Sequence, residues 1–316
     1  MSQETSIGWE SKKSRGNQKH KVLVTGGSGF LGRHLVKKLL DKYEDLEIST
    51  IARNGEGIIR LLSVCANGRF KPLIGDIRNE EVLKFALRDG VDTVVHLAAM
   101  KYINLCEISP SEAITINVNA TASLLKLFKG TTFIGMSTDK AVESSGCYGA
   151  TKTILEKITL AEANKNTNQR FLVVRSGNIF GSSGSVIENW HRQVKQNNEI
   201  PVTNPEMTRF FIDVDELAEY IITVLQNGES GKVYIPPQKI IQIGDLAHAF
   251  IELYGNETSM VKIVGQFKGE KMHEKLFMQG EDVVTDMKHS NSEQGEKLSL
   301  DEIKVWLQRQ AANKDF

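Results

Sequence analysis

The segment YGATK contains two side chains that together could remove a proton from a hydroxyl group while hydride leaves the carbon. Tyr148 and Lys152 are four residues apart at the start of a predicted helix, so they share one helix face. A free tyrosine has a pKa near ~10 and is a poor base at neutral pH, but a nearby ammonium favours its phenolate form. The spacing alone is weak evidence, because helices often pair these two residue types by chance.

A second group of candidates precedes this pair, in the segment Ser137-Thr138-Asp139-Lys140. The segment directly follows a predicted strand, where loops of a parallel sheet bind ligands. An acid and a lysine side by side could divide two proton transfers between them. The alternative is an exposed loop that carries two solvated charges.

Three glycines near the start of the chain predict a dinucleotide site. Gly26, Gly29 and Gly32 form GxxGxxG between a short apolar run and a helical pattern. Glycine permits the tight turn and lets the backbone approach a pyrophosphate, which the helix N-terminus then attracts. The positive nicotinamide of such a cofactor would further favour the phenolate of Tyr148.

The end of the second predicted strand indicates which dinucleotide binds. An NAD site usually has an acid there, whereas this chain has Arg53, which suits the 2′-phosphate of NADP. The alternative is a solvated surface arginine, with Glu56 as the acid that would favour NAD. Asp76 could accept from the adenine amino group or cap a helix. The predicted cofactor contacts are Gly26, Ser28, Gly29, Phe30, Leu31, Gly32, Arg53, Asp76, Ile77, Leu97, Ala98, Ala99, Lys101, Tyr148 and Lys152.

Short apolar runs that alternate with helical patterns must position these residues. The predicted strands are Val22–Val24, Leu46–Ala52, Pro72–Ile74, Thr93–Ala98, Phe133–Met136 and Phe171–Arg175. The main predicted helices are Glu80–Arg88, Glu112–Lys129 and Tyr148–Ala163. This alternation predicts an α/β fold with a Rossmann-type, doubly wound parallel sheet, which binds ligands beyond the carboxyl ends of its strands.

A change of residue composition and element length after Gly181 predicts a smaller C-terminal substrate-binding lobe. Glycine, serine, asparagine and proline become frequent there, and the elements shorten. Near the end, Ser299 and Glu302 have the spacing of a capping box before a helix. The predicted divisions are a flexible tail (1–20), a dinucleotide-binding domain (21–180, to which 211–235 return) and a substrate lobe (181–210 and 236–316).

The composition excludes several classes of partner. Among 316 residues, 39 lysines and arginines balance 39 acids, so no basic excess is available for nucleic acid or an anionic membrane. No apolar run approaches the ~20 residues needed to cross a bilayer, and the N-terminus has no signal-peptide core. The three cysteines, which lack metal-site spacing, predict reduced thiols, a cytoplasmic protein and no metal.

Taken together, the motifs identify a specific resemblance. TGGSGFLG, HLAAMKYIN, STDKAV, YGATK, RSGNIFGSSGSVI, MTRF and GEKMHEKLF occur in this order between about residues 21 and 277. The chain resembles the inverting UDP-N-acetylglucosamine 4,6-dehydratases and related polysaccharide-biosynthesis proteins, within the extended short-chain dehydrogenases. The STDK and GEKxHE-type segments discriminate this family from relatives that share the glycines and YxxxK.

The resemblance implies a catalytic role for each candidate. Thr138 would hydrogen-bond the sugar near C4, and Tyr148 would take the 4-hydroxyl proton while C4 hydride passes to NADP⁺. Lys140 would then remove the acidified C5 proton, and Asp139 would protonate the departing 6-hydroxyl. Hydride return to C6 leaves a 4-keto-6-deoxy sugar. Lys101 is a further candidate proton carrier, or else a lysine that binds phosphate.

The resemblance also implies contacts to the UDP moiety and a homo-oligomer. The implied substrate contacts are Lys101, Asn178, Gly184, Ser185, Val186, Arg209 and Glu270, with arginine suited to phosphate oxygens and Glu270 to the ribose hydroxyls. The predicted helices 112–129 and 148–163 carry more apolar residues than one buried face needs, and in the family such helices pair across a two-fold axis. These apolar residues include Leu124, Leu125, Leu127, Ile154, Leu155 and Ile158. Cys147 and the segment Glu143–Gly146, which lacks the usual asparagine-proline, depart from the family pattern.

Three other functions remain open at this stage. A 5,6-dehydratase would use the same early steps but return hydride to C4 and release a 5,6-unsaturated sugar. A 4-epimerase needs Tyr148 and Lys152 but has no use for Asp139 and Lys140. A non-catalytic NADP-binding protein would not require YxxxK, which is intact in this chain.

Overall fold

The computed structural model describes residues 19–65, 68–182, 184–267 and 269–312. Its strands are β1 (His20–Thr25), β2 (Leu46–Ala52), β3 (Phe70–Ile74), β4 (Thr93–His96), β5 (Thr132–Thr138), β6 (Arg170–Ser176), β7 (Asn178–Ile179), β8 (Glu199–Val202), β9 (Thr208–Ile212), β10 (Val233–Ile235), β11 (Lys239–Gln242), β12 (Met260–Ile263) and β13 (Val283–Thr285). Its α-helices are α1 (Phe30–Lys42), α2 (Gly55–Val64), α3 (Glu80–Leu87), α4 (Ile103–Ile108), α5 (Pro110–Ile114), α6 (Ala120–Leu127), α7 (Cys147–Lys165), α8 (Val186–Asn197), α9 (Val214–Asn227), α10 (Ile243–Tyr254) and α11 (Leu300–Ala312).

The main sheet is parallel throughout and confirms the predicted fold class. Its order is β13-β10-β6-β5-β4-β1-β2-β3. The order of the strands along the chain reverses between β1 and β4, where Val22 pairs with Ile48 on one side and with Thr93 on the other. Such a reversal opens a crevice beyond the carboxyl ends of the strands.

Both faces of this sheet are buried, which explains the continuous apolar runs of its strands. Val22 and Val24 pack into the core beneath α1 and α9, whereas Leu23 points to the opposite core with α3 and α6. All three side chains are fully buried. The alternation follows from the two-residue period of a strand.

A second lobe covers the carboxyl ends of the sheet. It contains a three-stranded sheet, β11-β9-β7, and the pair β12-β8, with helices α8, α10 and α11. Its separate core includes Trp190, Phe250 and Trp306. The capping box predicted at the start of α11 is present, since Ser299 N–H donates to Glu302 Oε2 at 2.8 Å and Glu302 N–H donates to Ser299 Oγ at 3.4 Å.

Several predicted boundaries differ from the structure. The segment 211–235 was predicted to return to the dinucleotide-binding domain. Its helix α9 does pack on α1, and its strand β10 joins the main sheet. Its first two residues, Phe211 and Ile212, instead belong to β9 in the three-stranded sheet. The strand β13 also joins the main sheet, although its residues were predicted in the substrate lobe. Most of the predicted N-terminal tail lies outside the described residues, and His20 already belongs to β1.

The predicted helix 112–129 is divided into three parts. The helices α5 and α6 flank a single π-helical turn at Thr115–Asn119. A π turn inserts one extra residue into the helix and changes the direction of its side chains, which residue periodicity does not reveal. The predicted strand 93–98 also ends earlier, at His96.

Candidate active site

A cleft of about 1200 Å³ lies between the carboxyl ends of the main sheet and the second lobe. Nearly all of the predicted site residues line this cleft, although the motifs that contain them are far apart in sequence. Asp139 is the exception, because it is fully buried beneath the cleft wall. The predicted residues in the lining are Gly26, Ser28, Gly29, Phe30, Leu31, Gly32, Arg53, Asp76, Ile77, Leu97, Ala98, Ala99, Lys101, Thr138, Lys140, Tyr148, Lys152, Asn178, Gly184, Ser185, Val186, Arg209 and Glu270.

The glycine loop between β1 and α1 has the geometry of a phosphate cradle. Gly26 has a φ of +71°, and a Cβ there would lie 2.8 Å from the Ala98 nitrogen. A Cβ at Gly32 would lie 2.4 Å from the Gly26 oxygen. No described side chain caps the N-terminus of α1 at Gly29, so its N–H groups are available to an anion. These residues therefore fit the pyrophosphate of a dinucleotide.

Arg53 and Asp76 lie together at the ends of β2 and β3. The two side chains are 3.8 Å apart, and Arg53 is 64% exposed. Asp76 does not cap α3, because Asn79 accepts from Glu81 N–H at that position. Asp76 instead accepts from the Arg78 guanidinium at 2.6 Å, which lowers the pKa of the Asp76 carboxyl.

Tyr148 and Lys152 share one face of α7 and point into the cleft beside β5. Lys152 Nζ donates to the Met136 carbonyl at 2.7 Å. Burial lowers the pKa of Lys152 to about 8, although Glu156 opposes this effect. Burial and the negative charge of Asp139 raise the pKa of Tyr148, while a hydrogen bond with Thr138 opposes that rise. The lysine therefore remains the cation of the pair at neutral pH.

Lys140 lies at the centre of a buried polar cluster. Its Nζ is 3.0 Å from Asp139 Oδ1, 3.1 Å from Asn178 Oδ1 and 3.7 Å from Glu274 Oε1. Asp139 Oδ1 also accepts from the Thr138 hydroxyl at 2.9 Å. Burial lowers the pKa of Lys140, but the carboxylates of Asp139 and Glu274 outweigh it and leave that pKa raised. The resting state of the cluster is therefore an ammonium held by carboxylates.

The residues predicted to bind UDP differ in how firmly they are held. Arg209 is buried and donates to the carbonyls of Thr208 at 2.8 Å and Met272 at 3.1 Å. Gly184, Ser185 and Val186 form the N-terminus of α8, where Ser185 Oγ accepts from Glu188 N–H. The side chain of Glu270 accepts from Phe267 N–H at 3.1 Å.

Lys101 lies in the same cleft on the loop after β4. Its Nζ is 5.5 Å from the centre of the Tyr102 ring. Burial lowers the pKa of Lys101, and Glu188 opposes that effect. Both a proton carrier and a phosphate ligand are compatible with this position. Within the described ranges, no group of three or more His, Cys, Asp or Glu side chains could hold a metal ion.

Asn117, which the sequence prediction did not include, organises the loop that contains Lys101. It lies in the π turn and is fully buried. Its Oδ1 accepts from Met100 N–H at 2.8 Å, and its Nδ2 donates to the Met100 carbonyl and to Thr151 Oγ1, each at 3.0 Å. Asn117 thus joins the loop to α7. No local pattern in the sequence marks the π turn.

Glu107 was also missed, and it holds the start of α7. The residue before α7 is Gly146, which has no side chain to cap the helix, and Glu107 Oε1 accepts from Cys147 N–H at 2.5 Å. A Cβ at Gly146 would lie 2.7 Å from the same oxygen. The departures from the family pattern at residues 143–147 therefore coincide with a distinct helix cap.

Comparisons with known proteins place the chain in a family. Residues 22–295 match the family described as polysaccharide biosynthesis protein. The chain belongs to this family. The chain is also similar to a UDP-N-acetylglucosamine 4,6-dehydratase (inverting) of Campylobacter jejuni, with 33% identity over 84% of this chain and 79% of that enzyme. The resemblance predicted from the motifs is thus confirmed.

Other relatives show the breadth of the similarity. A UDP-glucose 4-epimerase of Rickettsia bellii is 32% identical over 81% of this chain and 76% of that enzyme. The X-ray structure of Pen from Bacillus thuringiensis superimposes with a TM-score of 0.85 at 26% identity, over 93% of this chain and 98% of that one. Both a dehydratase and an epimerase are therefore among the relatives of this chain.

Proposed function

We propose that the chain is an NADP-dependent dehydratase that converts UDP-N-acetylglucosamine to a UDP-4-keto-6-deoxy sugar. The observation that carries the proposal is the buried ion pair of Asp139 and Lys140, joined to Tyr148 through the Thr138 hydroxyl. Elimination of a hydroxyl group needs an acid and a base beside the oxidised carbon. The similarity to the Campylobacter jejuni dehydratase supports this substrate.

The residues of the glycine loop would hold the pyrophosphate of the cofactor, and Arg53 would bind the 2′-phosphate of NADP. When bound, the dinucleotide supplies a hydride acceptor for C4 and a hydride donor for C6. Tyr148 takes the 4-hydroxyl proton, favoured by the nearby Lys152 ammonium. Thr138 orients the same hydroxyl.

The 4-ketone acidifies the C5 proton, and the elimination then requires a neutral amine and a protonated acid. Transfer of one proton from Lys140 to Asp139, along their 3.0 Å hydrogen bond, produces both. Lys140 can then accept the C5 proton. Asp139, which does not line the cleft itself, would deliver its proton to the departing O6 through the Thr138 hydroxyl, which gives its own proton to O6 and takes that of Asp139. Their exclusion from bulk water strengthens these interactions in the cleft.

Cations on the second lobe would bind the diphosphate. The planar Arg209 guanidinium suits phosphate oxygens, and it lines the same cleft as Gly184 and Ser185. The N–H groups of these two residues donate to Glu188 Oε2 and to the Ser182 carbonyl, so a phosphate would have to replace those acceptors. Lys101 lines the same cleft. Glu270 would accept from the ribose hydroxyls.

A UDP-sugar 4-epimerase is the second candidate, favoured by the Rickettsia bellii relative. It would use Tyr148 and Lys152 for the hydride steps, but it would leave Asp139 and Lys140 without a role in the reaction. The distinction therefore rests on whether O6 is lost.

The deciding experiment is incubation with UDP-N-acetylglucosamine in deuterated water, followed by NMR of the product. We expect a 4-ketone, a 6-methyl group that contains the original C4 hydrogen, and solvent deuterium at C5. A product that is epimeric at C4 and retains O6 would contradict the dehydratase. A 5,6-alkene with C4 still an alcohol would identify a 5,6-dehydratase.

A further inference from the structure

Lys140 has a second acidic neighbour, Glu274, whose segment belongs to the second lobe. We infer that Glu274 is a positioning residue that sets the proton affinity of Lys140 and so controls when that lysine can act as a base. The inference deepens the proposed dehydratase function and rests on it for its catalytic meaning. It assigns a role to an acid that the proposed mechanism does not otherwise use.

The side chain of Glu274 is buried and directed at Lys140. Its residue is 2% exposed, and Oε1 is 3.7 Å from Lys140 Nζ. The other oxygen, Oε2, is 3.5 Å from Lys271 Nζ and has no hydrogen-bond partner among the described residues. A buried carboxylate is costly unless cations compensate its charge. Lys140 and Lys271 provide that compensation here.

The backbone around Glu274 is held in place from two sides. Glu274 N–H donates to Ser292 Oγ at 2.9 Å, and Ser292 N–H donates to the Glu274 carbonyl at 3.0 Å. On the other side, Lys271 Nζ donates to the Val142 carbonyl at 2.6 Å. Because Val142 lies two residues beyond Lys140, this contact ties the Glu274 segment to the loop that contains the lysine.

The geometry matches the cationic form of Lys140. An ammonium has three donors, and three acceptor groups surround Nζ: the carboxylates of Asp139 and Glu274 and the amide oxygen of Asn178. To act as a base, the lysine must first lose one of these protons to Asp139. The negative charge of Glu274 opposes that loss, since it stabilises the ammonium.

The charged groups around Lys140 act in opposing directions. Asp139 and Glu274 raise the pKa of Lys140, whereas burial and Arg209 lower it. Burial and Asp139 raise the pKa of Glu274, whereas Lys140, Arg209 and Lys271 oppose that rise. The negative charge of Asp139 also acts on Tyr148. Neutralising Glu274 should therefore release the proton of Lys140 at lower pH, with Asp139 left in place.

The first test measures the lysine itself, without substrate. The reactivity of Lys140 toward a trace of acetic anhydride is followed against pH by mass spectrometry in the full-length chain and in Glu274→Gln. We expect the midpoint to move to lower pH in Glu274→Gln and to stay unchanged in the control Glu293→Gln, whose carboxylate is exposed and faces His273. An unchanged midpoint in Glu274→Gln would overturn the inference.

The second test measures the pH profile of product formation. If Lys140 is the C5 base, the limb that rises with pH should move to lower pH in Glu274→Gln, while reduction of bound NADP⁺ by the substrate persists. Loss of rate with an unmoved limb would assign Glu274 a structural role only. If Glu274→Gln does not fold, Glu274→Asp is used instead, because it keeps the charge but at a greater distance from Lys140. The labelling midpoint and the rising limb of the pH profile should then both move to lower pH, to a smaller extent.

The two tests separate this inference from the proposed function. A lowered labelling midpoint in a protein that forms no 4-keto product would support the control of Lys140 by Glu274 and overturn the dehydratase proposal. Formation of the 4-keto product with an unmoved labelling midpoint in Glu274→Gln would support the dehydratase proposal and overturn the control of Lys140 by Glu274.

Discussion

At the scale of single residues, Asp139 and Lys140 separate dehydration from simple hydride transfer. Asp139→Asn and Lys140→Met should each lower product formation by about 10²–10⁴-fold, because each removes one proton-transfer group. Both variants should still reduce bound NADP⁺ when UDP-N-acetylglucosamine is added, since Tyr148 can take the 4-hydroxyl proton. Product NMR measures the loss of product formation, and absorbance at the reduced-nicotinamide band measures the remaining reduction of NADP⁺.

Tyr148→Phe provides the matched control for these variants. It should lose both the product and the absorbance of reduced cofactor, because the first proton transfer fails. Normal turnover by the Asp139 and Lys140 variants would instead favour epimerisation.

A second prediction at the scale of residues concerns Arg53 and the choice between NADP and NAD. The exposed guanidinium stands at the carboxyl end of β2, where the strand has no acid to bind a ribose hydroxyl. Arg53→Ala should weaken NADP binding by about 10–100-fold, the equivalent of one charge-assisted hydrogen bond, and leave NAD binding nearly unchanged. Calorimetric titration with both dinucleotides measures this, and equal affinities in the unmodified protein would contradict it.

Lys152 should reduce stability while it supports catalysis. Its pKa falls from 10.5 in the unfolded chain to about 8 on folding, so the unfolded state binds more protons between those values. This difference lowers the free energy of unfolding by an amount on the order of 3 kcal/mol. The loss is fully present below pH 8 and decreases as the pH rises toward 10.5.

Lys152→Met should therefore be more stable than the unmodified protein at pH 7, by roughly 1–2 kcal/mol after the loss of the bond to the Met136 carbonyl. The gain should shrink at pH 9.5, and activity should be lost. Urea unfolding at both pH values tests this, with Lys126→Met, an exposed lysine of α6, as the control. A gain that is independent of pH would contradict the explanation.

At the scale of elements, a buried ion triad joins α7 to β6 and to the turn before β13. Arg175 donates to Glu156 at 2.7 Å, to Glu281 at 2.6 Å and to the Leu276 carbonyl at 2.7 Å. The triad fixes the helix of Tyr148 against the strand next to β5. Burial opposes the charge of Arg175, but its two carboxylates outweigh burial and raise its pKa.

Arg175→Met should destabilise the fold by about 3–5 kcal/mol, since it leaves the buried Glu156 carboxylate without its cation. Glu156→Gln should cost less, because Glu281 still compensates the charge of Arg175. The double variant should lose clearly less than the sum of the two single losses. The midpoint of urea unfolding measures both effects, and breaking the exposed pair of Lys232 and Asp282 serves as the control with little expected change. Additive losses would show that the pair is not coupled.

The helices also show where sequence periodicity was a limited guide. Leu124 and Leu155, predicted as surplus apolar residues for a subunit contact, are fully buried in the core of the chain itself. Ile154 on α7, which was also predicted for that contact, does remain exposed, and it is joined by Leu105 and Ile108 on α4 and Ile114 on α5. Periodicity showed that α7 has more than one apolar face, but not which of those faces the sheet covers.

At the scale of the whole molecule, this exposed group on α4, α5 and α7 supports the proposed homo-oligomer. Ile108 is 75% exposed and Ile154 is 44% exposed. Exposed apolar side chains grouped on helices that contact one another are typical of association sites, and most oligomers have two-fold symmetry. We expect a dimer by light scattering at micromolar concentration and a monomer for the double variant Ile108→Glu, Ile154→Glu.

Ile59→Glu is the matched control, because Ile59 is 67% exposed on α2, away from this group. It should not change the mass measured by light scattering. A monomer in the unmodified protein would contradict the proposed association.

Among the described residues, no helix has both the length and the apolar character to cross a bilayer.

The sequence alone was sufficient for the features that depend on local order. Parallel strands, the glycine turn before α1, the helix face shared by Tyr148 and Lys152 and the capping box at Ser299 each follow from residues within one or two elements. The motif order also identified the family. The predicted strand Leu46–Ala52 has the same bounds as β2, whereas most ends of the other predicted strands differ by one or two residues.

Only the tertiary structure decided the electrostatics of the site. It brings Glu274 from the second lobe to Lys140, buries Asp139 completely and places Asn117 and Glu107 where they hold the loop and helix around Tyr148. Protonation states depend on burial and on charges that are distant in sequence, because electrostatic energy varies with separation in space and with exposure to water. No spacing along the chain contains that information.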